Sequence, residues 1–278
     1  MKNWASTLWL LSALVLLCGC GGGVSTSGPS SGLSSDPPSG PSSGSSPQGL
    51  NVAGNWQFTT STAGIPPATI AGSIAQSGGL VSGVVHVEGW NCFNSLTPIG
   101  LTGTLTDSNL SLTSAPVSGQ VVTLDGTVAN YALTGTYTVK GGCADGDTGS
   151  VTGINIPTMA NILNGTFTAS GGQAFDVSAS VAQSSTASPE GSFGITGTAT
   201  FDGPCFSSGT VTSGAFPSGS FIMGTSVALE IETDNGTVTF PGMLNNDRTQ
   251  ISGDYTVSGG TCDQTGTALL IPSSPWDY

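Results

Sequence analysis

The sequence predicts an all-β chain: two tandem copies of an antiparallel up-and-down meander of about eight strands, behind a leader and a structureless linker. Three observations predict it. The stretch Leu133 to Cys143, Leu-Thr-Gly-Thr-Tyr-Thr-Val-Lys-Gly-Gly-Cys, returns as Ile251 to Cys262, Ile-Ser-Gly-Asp-Tyr-Thr-Val-Ser-Gly-Gly-Thr-Cys. Within the first copy, Leu133, Gly135, Tyr137 and Val139 alternate with Thr134, Thr136, Thr138 and Lys140, the period of a half-buried strand. Composition agrees: 43 glycines and only 7% charged residues, with much Thr and Ser, supply strand and turn formers. From Leu50 onward no stretch carries the helix period, and Gly or Pro interrupts most windows long enough for a helix.

Residues 1–19 read as a leader. Lys2 precedes an apolar run from Leu8 to Leu17, the length of a signal-peptide core and too short to span a bilayer securely. Leu17-Cys18-Gly19-Cys20 follows, and it resembles the lipobox of bacterial lipoproteins, Leu-x-Gly-Cys. Cys18 stands where that motif usually has Ala or Ser. The resemblance implies that Cys20 becomes the lipidated first residue of the mature protein. Gly21, in place of Asp, implies an outer-membrane destination. The expected location is therefore the cell envelope, on its periplasmic or surface face. An ordinary secretory signal is the alternative.

Residues 20–49 are Cys20 and then almost wholly Gly, Ser and Pro, with Asp36 the only charge. Such a segment cannot bury a core and is expected to be disordered. As a flexible coil its ends would average roughly 30 Å apart, enough to stand a folded domain off an anchor.

The first copy spans 50–157. It opens with Gly54-Asn55-Trp56-Gln57-Phe58-Thr59 and continues with strands expected near 70–76, 80–87, 101–106, 110–113, 121–128, 131–139 and 151–156. The second copy spans 158–273, with a tail at 274–278. There Leu163 to Thr168 matches the Gly-x-Trp start, with Phe167 in place of Trp, and Val177 to Gln183 matches Ile70 to Gln76. Strands follow near 192–201, 221–223, 227–233, 237–240, 251–257 and 268–271. Both copies close on Ile-Pro, at Ile156-Pro157 and Ile271-Pro272.

Apolar-x-Gly-x-apolar recurs at Ile70, Leu101, Leu124, Leu133, Ile195 and Ile251, placing Gly on the inward face. Gly weakens a strand unless curvature or close packing requires it, and a small closed barrel requires both. A meander of about eight strands with a Gly-x-Trp start is similar to the lipocalin and avidin superfamily of small barrels. An Ig-like β-sandwich is the competing architecture.

Four cysteines remain after the lipobox: Cys92, Cys143, Cys205 and Cys262. Of the three possible pairings, Cys92–Cys143 and Cys205–Cys262 give each copy the same bridge, and export favours oxidation. A zinc site is disfavoured, because the cysteines are single and only His86 could assist.

Little in the chain suggests catalysis. The lone histidine, His86, has no counterpart in the second copy, and a satisfied strand histidine is the expectation. Glu230, Glu232 and Asp234 alternate on one face and are the candidate acids of a glycosidase, the alternative function; a solvated face is the simpler account. Asp145-Gly146-Asp147 opens like a calcium loop but lacks its further acids, so no metal and no cofactor is expected. The best candidate contacts for a ligand are Trp90, Asn91, Phe93 and Phe206 beside the cysteines, although rings next to a disulfide also pack on it as core.

Without residues 1–19, two cations face 16 acids, a net charge of −14. That excludes nucleic acid as a natural partner. The expected function is non-catalytic: an envelope lipoprotein that holds the membrane through its lipid and binds a glycan, a small apolar ligand or a protein. An integral outer-membrane barrel, its apolar face turned to lipid, is a third reading.

Overall fold

The computed structural model describes residues 50–276. Cys20, the linker and Tyr278 lie outside them. The first copy contains β1 (Gly54–Ser61), β2 (Thr69–Ser77), β3 (Leu80–Glu88), β4 (Ile99–Thr106), β5 (Asn109–Ser114), β6 (Val121–Ala129), β7 (Ala132–Lys140) and β8 (Thr148–Ile156). Each strand pairs with the next, and β1 pairs with β8, closing a barrel. The closure decides against the sandwich. The second copy contains β9 (Ala160–Ala169), β10 (Ala174–Gln183), β11 (Phe193–Asp202), β12 (Ser208–Val211), β13 (Phe221–Met223), β14 (Ser226–Thr233), β15 (Gly236–Leu244), β16 (Ile251–Ser258) and β17 (Gln264–Pro272). Pairing of β17 with β9 and of β10 with β11 closes it likewise.

Nine strands thus fill eight staves. β12 and β13 both pair with β11 and β14, one beyond the other in a single slot. Stepping back four residues along β11, from Gly197 to Phe193, carries the partner from Val211 to Ile222, eleven residues instead of four. Seven residues therefore loop out of this stave. Ser220 repairs the break: its hydroxyl accepts from Glu230 N at 2.7 Å. The sequence reading missed β12.

The alternation sorts as expected. In β7, Leu133, Tyr137 and Val139 are buried while Thr134, Thr136 and Thr138 face out. Apolar side chains therefore fill the barrels, and hydroxyls cover the wall. This corrects the integral-membrane reading, whose apolar face would point outward. It also corrects the idea of a small apolar ligand carried inside. Trp56, Phe58, Leu110, Leu112 and Leu124 occupy the first interior. Phe167, in contact with Phe175, Phe201, Phe240 and Tyr255, occupies the second. Eight staves leave an interior just wide enough for such side chains.

The inward glycines answer to a neighbouring backbone. A Cβ on Gly72, Gly103 or Gly197 would lie 1.9–2.1 Å from a carbonyl oxygen of the adjacent strand. Gly126 pairs with Gly135 in the first barrel, and Gly242 with Gly253 in the second. Both pairs let two strands approach closely: a Cβ on Gly135 would lie 2.5 Å from the Gly126 Cα, and one on Gly253 2.9 Å from the Gly242 Cα.

The registers also correct two matches between the copies. Trp56 pairs with Gly72, and Leu163 pairs with Ala179, the residue at the same place in Val177-x-Ala179-x-Val181. Gln76 Oε1 accepts from Val52 N at 2.7 Å, and Gln183 Oε1 from Met159 N at 3.0 Å, fixing the same alignment. Leu163, not Phe167, is therefore the counterpart of Trp56. Likewise Ile271 occupies the place of Ile154 rather than Ile156. Shifts by an even number of residues keep every side chain on its face, so alternation alone cannot detect them.

Tyr137 and Tyr255 are true counterparts with different fates. The Tyr137 hydroxyl meets Thr62 Oγ1, whereas the Tyr255 hydroxyl is buried without a partner. Burial pushes the Tyr255 phenol above its ordinary value. The folded chain therefore holds the Tyr255 proton more tightly than the unfolded chain. Its contribution is complete below about pH 10 and is lost as pH rises through the folded-state value. Tyr255→Phe is expected to stabilise the fold by about 1 kcal/mol and to flatten the alkaline limb of a melting-temperature profile. An unchanged profile would show that the hydroxyl is satisfied.

The barrels dock directly. Asn55, 1% exposed, donates from Nδ2 to Gly224 O at 3.0 Å and accepts from Gly224 N at 2.7 Å. Gln57 Oε1 accepts from Thr225 N at 2.9 Å and from Thr225 Oγ1 at 2.8 Å. Gly224 has φ +55°, and a Cβ there would press on Ala71 and Gln57. His86 is buried at the same junction, with Nδ1 2.9 Å from Ser95 O, Nε2 3.0 Å from Glu190 O and its ring 4.6 Å from that of Phe216. Phe216 belongs to the looped-out excursion, which thus serves as a docking element.

Candidate functional site

A cleft of about 710 Å³ lies where the two barrels meet. It is built by segments far apart in sequence: the chain entering β1, the β6–β7 turn, the chain leaving β8, and the end of β10. Buried Trp56 and Phe193 form its floor. The amides of Asn51, Asn130, Asn155 and Gln183 line it, with the hydroxyls of Ser184 and Ser185. Gln183 is held in place by its bond from Met159 N.

Tyr131 gives the cleft its character. Asn130 and Tyr131 are the two central residues between β6 and β7, with φ of +49° and +61°. A two-residue hairpin turn of this kind favours Asn then Gly, because both central positions are left-handed. Tyrosine there costs on the order of 1 kcal/mol of backbone strain. The strained residue is nevertheless 46% exposed and borders the cleft. Its carbonyl accepts from Asn155 N at 2.8 Å, which joins the turn to the exit of β8. An aromatic ring among amides and hydroxyls can stack on the apolar face of a sugar while the amides bond its hydroxyls.

The expected site residues fall elsewhere. Cys92–Cys143 and Cys205–Cys262 are disulfide-bonded, with Cα atoms 5.9 and 5.7 Å apart. The first bridge ties the β3–β4 loop to the β7–β8 loop, at the end of the barrel opposite the cleft. Trp90, 8% exposed, stacks among Phe93 and Tyr137 and donates from Nε1 to Asp147 Oδ2 at 3.2 Å. Phe206, 3% exposed, packs against Phe175 and Phe201. Both rings are core beside a disulfide. Phe93 is half-buried, and only Asn91 of the four is exposed. Gln120, fully buried, joins this loop cluster by donating to Cys92 O and accepting from Ala144 N.

The candidate acids are also placed. Asp145 and Asp147 serve their own loops, Asp145 accepting from Gly141 N and Asp147 from Trp90. Among the described residues, no three His, Cys, Asp or Glu side chains gather as a metal site would require. Glu230 and Glu232 point outward from β14, and their cross-strand neighbours are Thr239, Thr237 and Thr210. The pair of carboxylates facing across a cleft that a glycosidase needs is not formed by them.

Tyr131, Asn155 and Gln183 escaped the sequence reading, which began a strand at Tyr131. The available signal was the Asn-Tyr pair between two strands, where Asn-Gly would be expected.

No known protein family matches the chain, and no curated protein does. Among solved structures, the chain is similar to the Burkholderia oklahomensis agglutinin, with 13% identity over 79% of this chain and 95% of that one, at a TM-score of 0.19. It is also similar to the Myxococcus xanthus hemagglutinin, determined in complex with α3,α6-mannopentaose, with 12% identity over 78% and 99%, at a TM-score of 0.20. At such scores neither likeness carries an argument about this chain.

Proposed function

We propose that this protein is a non-catalytic glycan-binding protein of the cell envelope. The inter-barrel cleft holds the sugar, Cys20 carries the anchoring lipid, and residues 21–49 form the stalk. The observation that carries the binding role is Tyr131: an aromatic side chain kept exposed, at a cost in backbone strain, beside a cleft lined by amides. Strain retained at a cleft edge is a mark of function rather than of folding. The envelope location rests on Leu17-Cys18-Gly19-Cys20 and the composition of the linker.

The two demands on Tyr131 separate experimentally. Tyr131→Gly relieves the turn and is expected to raise stability by up to about 1 kcal/mol. The same change is expected to remove binding on a glycan array, read side by side with the wild type. A variant that keeps the wild-type array pattern would overturn the cleft as the site. Cell fractionation of Cys20→Ser, expected to release the protein from the membrane fraction, tests the anchor.

A further inference from the structure

The duplication places the same glutamine in both barrels and gives its amide two different tasks. Gln76, at the end of β2, accepts from Val52 N through Oε1, and its Nε2 donates to Leu50 O and to Gly78 O, each at 3.0 Å. Gln183, at the end of β10, accepts from Met159 N in the same way, at 3.0 Å. A backbone N–H bonds only the oxygen of a side-chain amide, so this bond fixes which way round the Gln183 amide stands. The nitrogen end is left over: among the described residues, nothing accepts from Gln183 Nε2.

The difference lies in the connections. β2 and β3 are joined by Gly78 and Gly79, a turn short enough to bring Gly78 O back onto the amide. β10 and β11 are joined by residues 184–192, which lead away to the contact with the first barrel, where Glu190 O meets His86. Ser184, next to the amide, donates its hydroxyl to Thr186 O at 2.6 Å. Gln183 is half-buried, lines the cleft and keeps Nε2 accessible. It pairs with Ile195, and Phe193, two residues before Ile195 on the same face, sets a ring beside it. Trp56, the other ring of the floor, has its nitrogen engaged by Val52 O at 2.7 Å. Among the described residues that line the cleft, none carries a carboxylate, ammonium or guanidinium.

We infer that Gln183 is the anchoring donor of the cleft and that the glycan offers it the carbonyl of an acetamido group, so that the sugar bound there is N-acetylated. A sugar hydroxyl donates as well as accepts, whereas an acetamido carbonyl only accepts, which matches an amide nitrogen that only donates. The methyl group beside that carbonyl is apolar and suits the ring of Phe193. A carboxylate would also accept, but no cation stands in the cleft lining to pair with it, and the chain carries a net charge of −13. This inference rests on the cleft as the glycan site.

Calorimetric titration of the full chain with oligosaccharides of N-acetylglucosamine and N-acetylgalactosamine, and with the corresponding glucose and galactose oligosaccharides, tests it. At least one acetamido probe is expected to bind at least about tenfold more tightly than its hydroxyl counterpart. Gln183→Glu keeps an oxygen for Met159 N and replaces the donor by a second acceptor. It is expected to weaken that probe at least about tenfold and to leave the urea midpoint near the wild-type value. Gln76→Glu sets the same second acceptor against Leu50 O and Gly78 O, and is expected to lower the midpoint. Equal binding of acetamido and hydroxyl probes overturns the acetamido assignment. Undiminished binding by Gln183→Glu, or a midpoint lowered as far as in Gln76→Glu, overturns Gln183 as the donor. No binding of any of these probes overturns the inference, while a glycan-array signal lost in Tyr131→Gly would still uphold the cleft. The cleft itself falls separately, if Tyr131→Gly keeps the wild-type array pattern.

Discussion

Gly135→Val is expected to destabilise the first barrel by about 3 kcal/mol or more, towards the upper end for overpacking. A Cβ at Gly135 would lie 2.0 Å from Asp125 O and 2.5 Å from the Gly126 Cα, both backbone atoms of the paired strand. A clash with a flexible side chain is relieved by a rotamer change. A clash with the neighbouring ladder is relieved only by separating β6 from β7, which loses hydrogen bonds and opens the wall. The second barrel repeats the arrangement, with a Cβ on Gly253 only 2.2 Å from Pro241 O. Gly100 is the control, since a Cβ there would meet nothing nearer than Ala115 at 4.0 Å. Urea unfolding should therefore shift strongly for Gly135→Val and Gly253→Val and hardly at all for Gly100→Ala. Equal effects at the three positions would mean that intrinsic strand preference, not the Gly–Gly approach, sets the cost.

Loss of a disulfide is expected to have an effect of similar size. Cys92 and Cys143 are 51 residues apart, and Cys205 and Cys262 are 57 apart. Closing loops of that length restricts the unfolded chain by roughly 4 kcal/mol in the loop-entropy model. The paired replacement Cys92→Ser with Cys143→Ser should lower the urea midpoint accordingly, and the corresponding change in the second barrel should do so about equally. The first bridge lies at the far end of its barrel from the cleft. Glycan binding by the folded fraction should therefore survive its removal, while the unfolding midpoint falls. A midpoint indifferent to the replacement would show that the barrel closes without its staple.

What the sequence revealed follows from how strongly each element alternates. β7 and β16 are legible because apolar and hydroxyl residues alternate over nearly their whole length, and the disulfide pairing is legible because the chain is duplicated. β12 was hidden because Ser208-Gly209-Thr210-Val211 offers a single buried apolar residue, Val211, and no period. The counterpart of Trp56 was misplaced because a four-residue slip preserves the inward face. Trp90 and Phe206 lie among polar neighbours in sequence, yet packing around the bridges takes them inside. The cleft could not be read in advance for a different reason: its walls come from separate segments spread between residues 50 and 193, and docking through Asn55, Gln57 and His86 sets those of the second barrel beside those of the first. The seven-residue excursion that sets Phe216 on His86 leaves no local pattern to announce it.

The central claim is that the seam between the barrels, and not the disulfide loops, receives the sugar. Amide chemical-shift mapping during titration with a glycan selected from the array tests it most directly. The account predicts shifts concentrated at Asn51, Asn130, Tyr131, Asn155 and Gln183. Shifts concentrated instead at Asn91, Phe93 and the loops around Cys92 and Cys143 would contradict it.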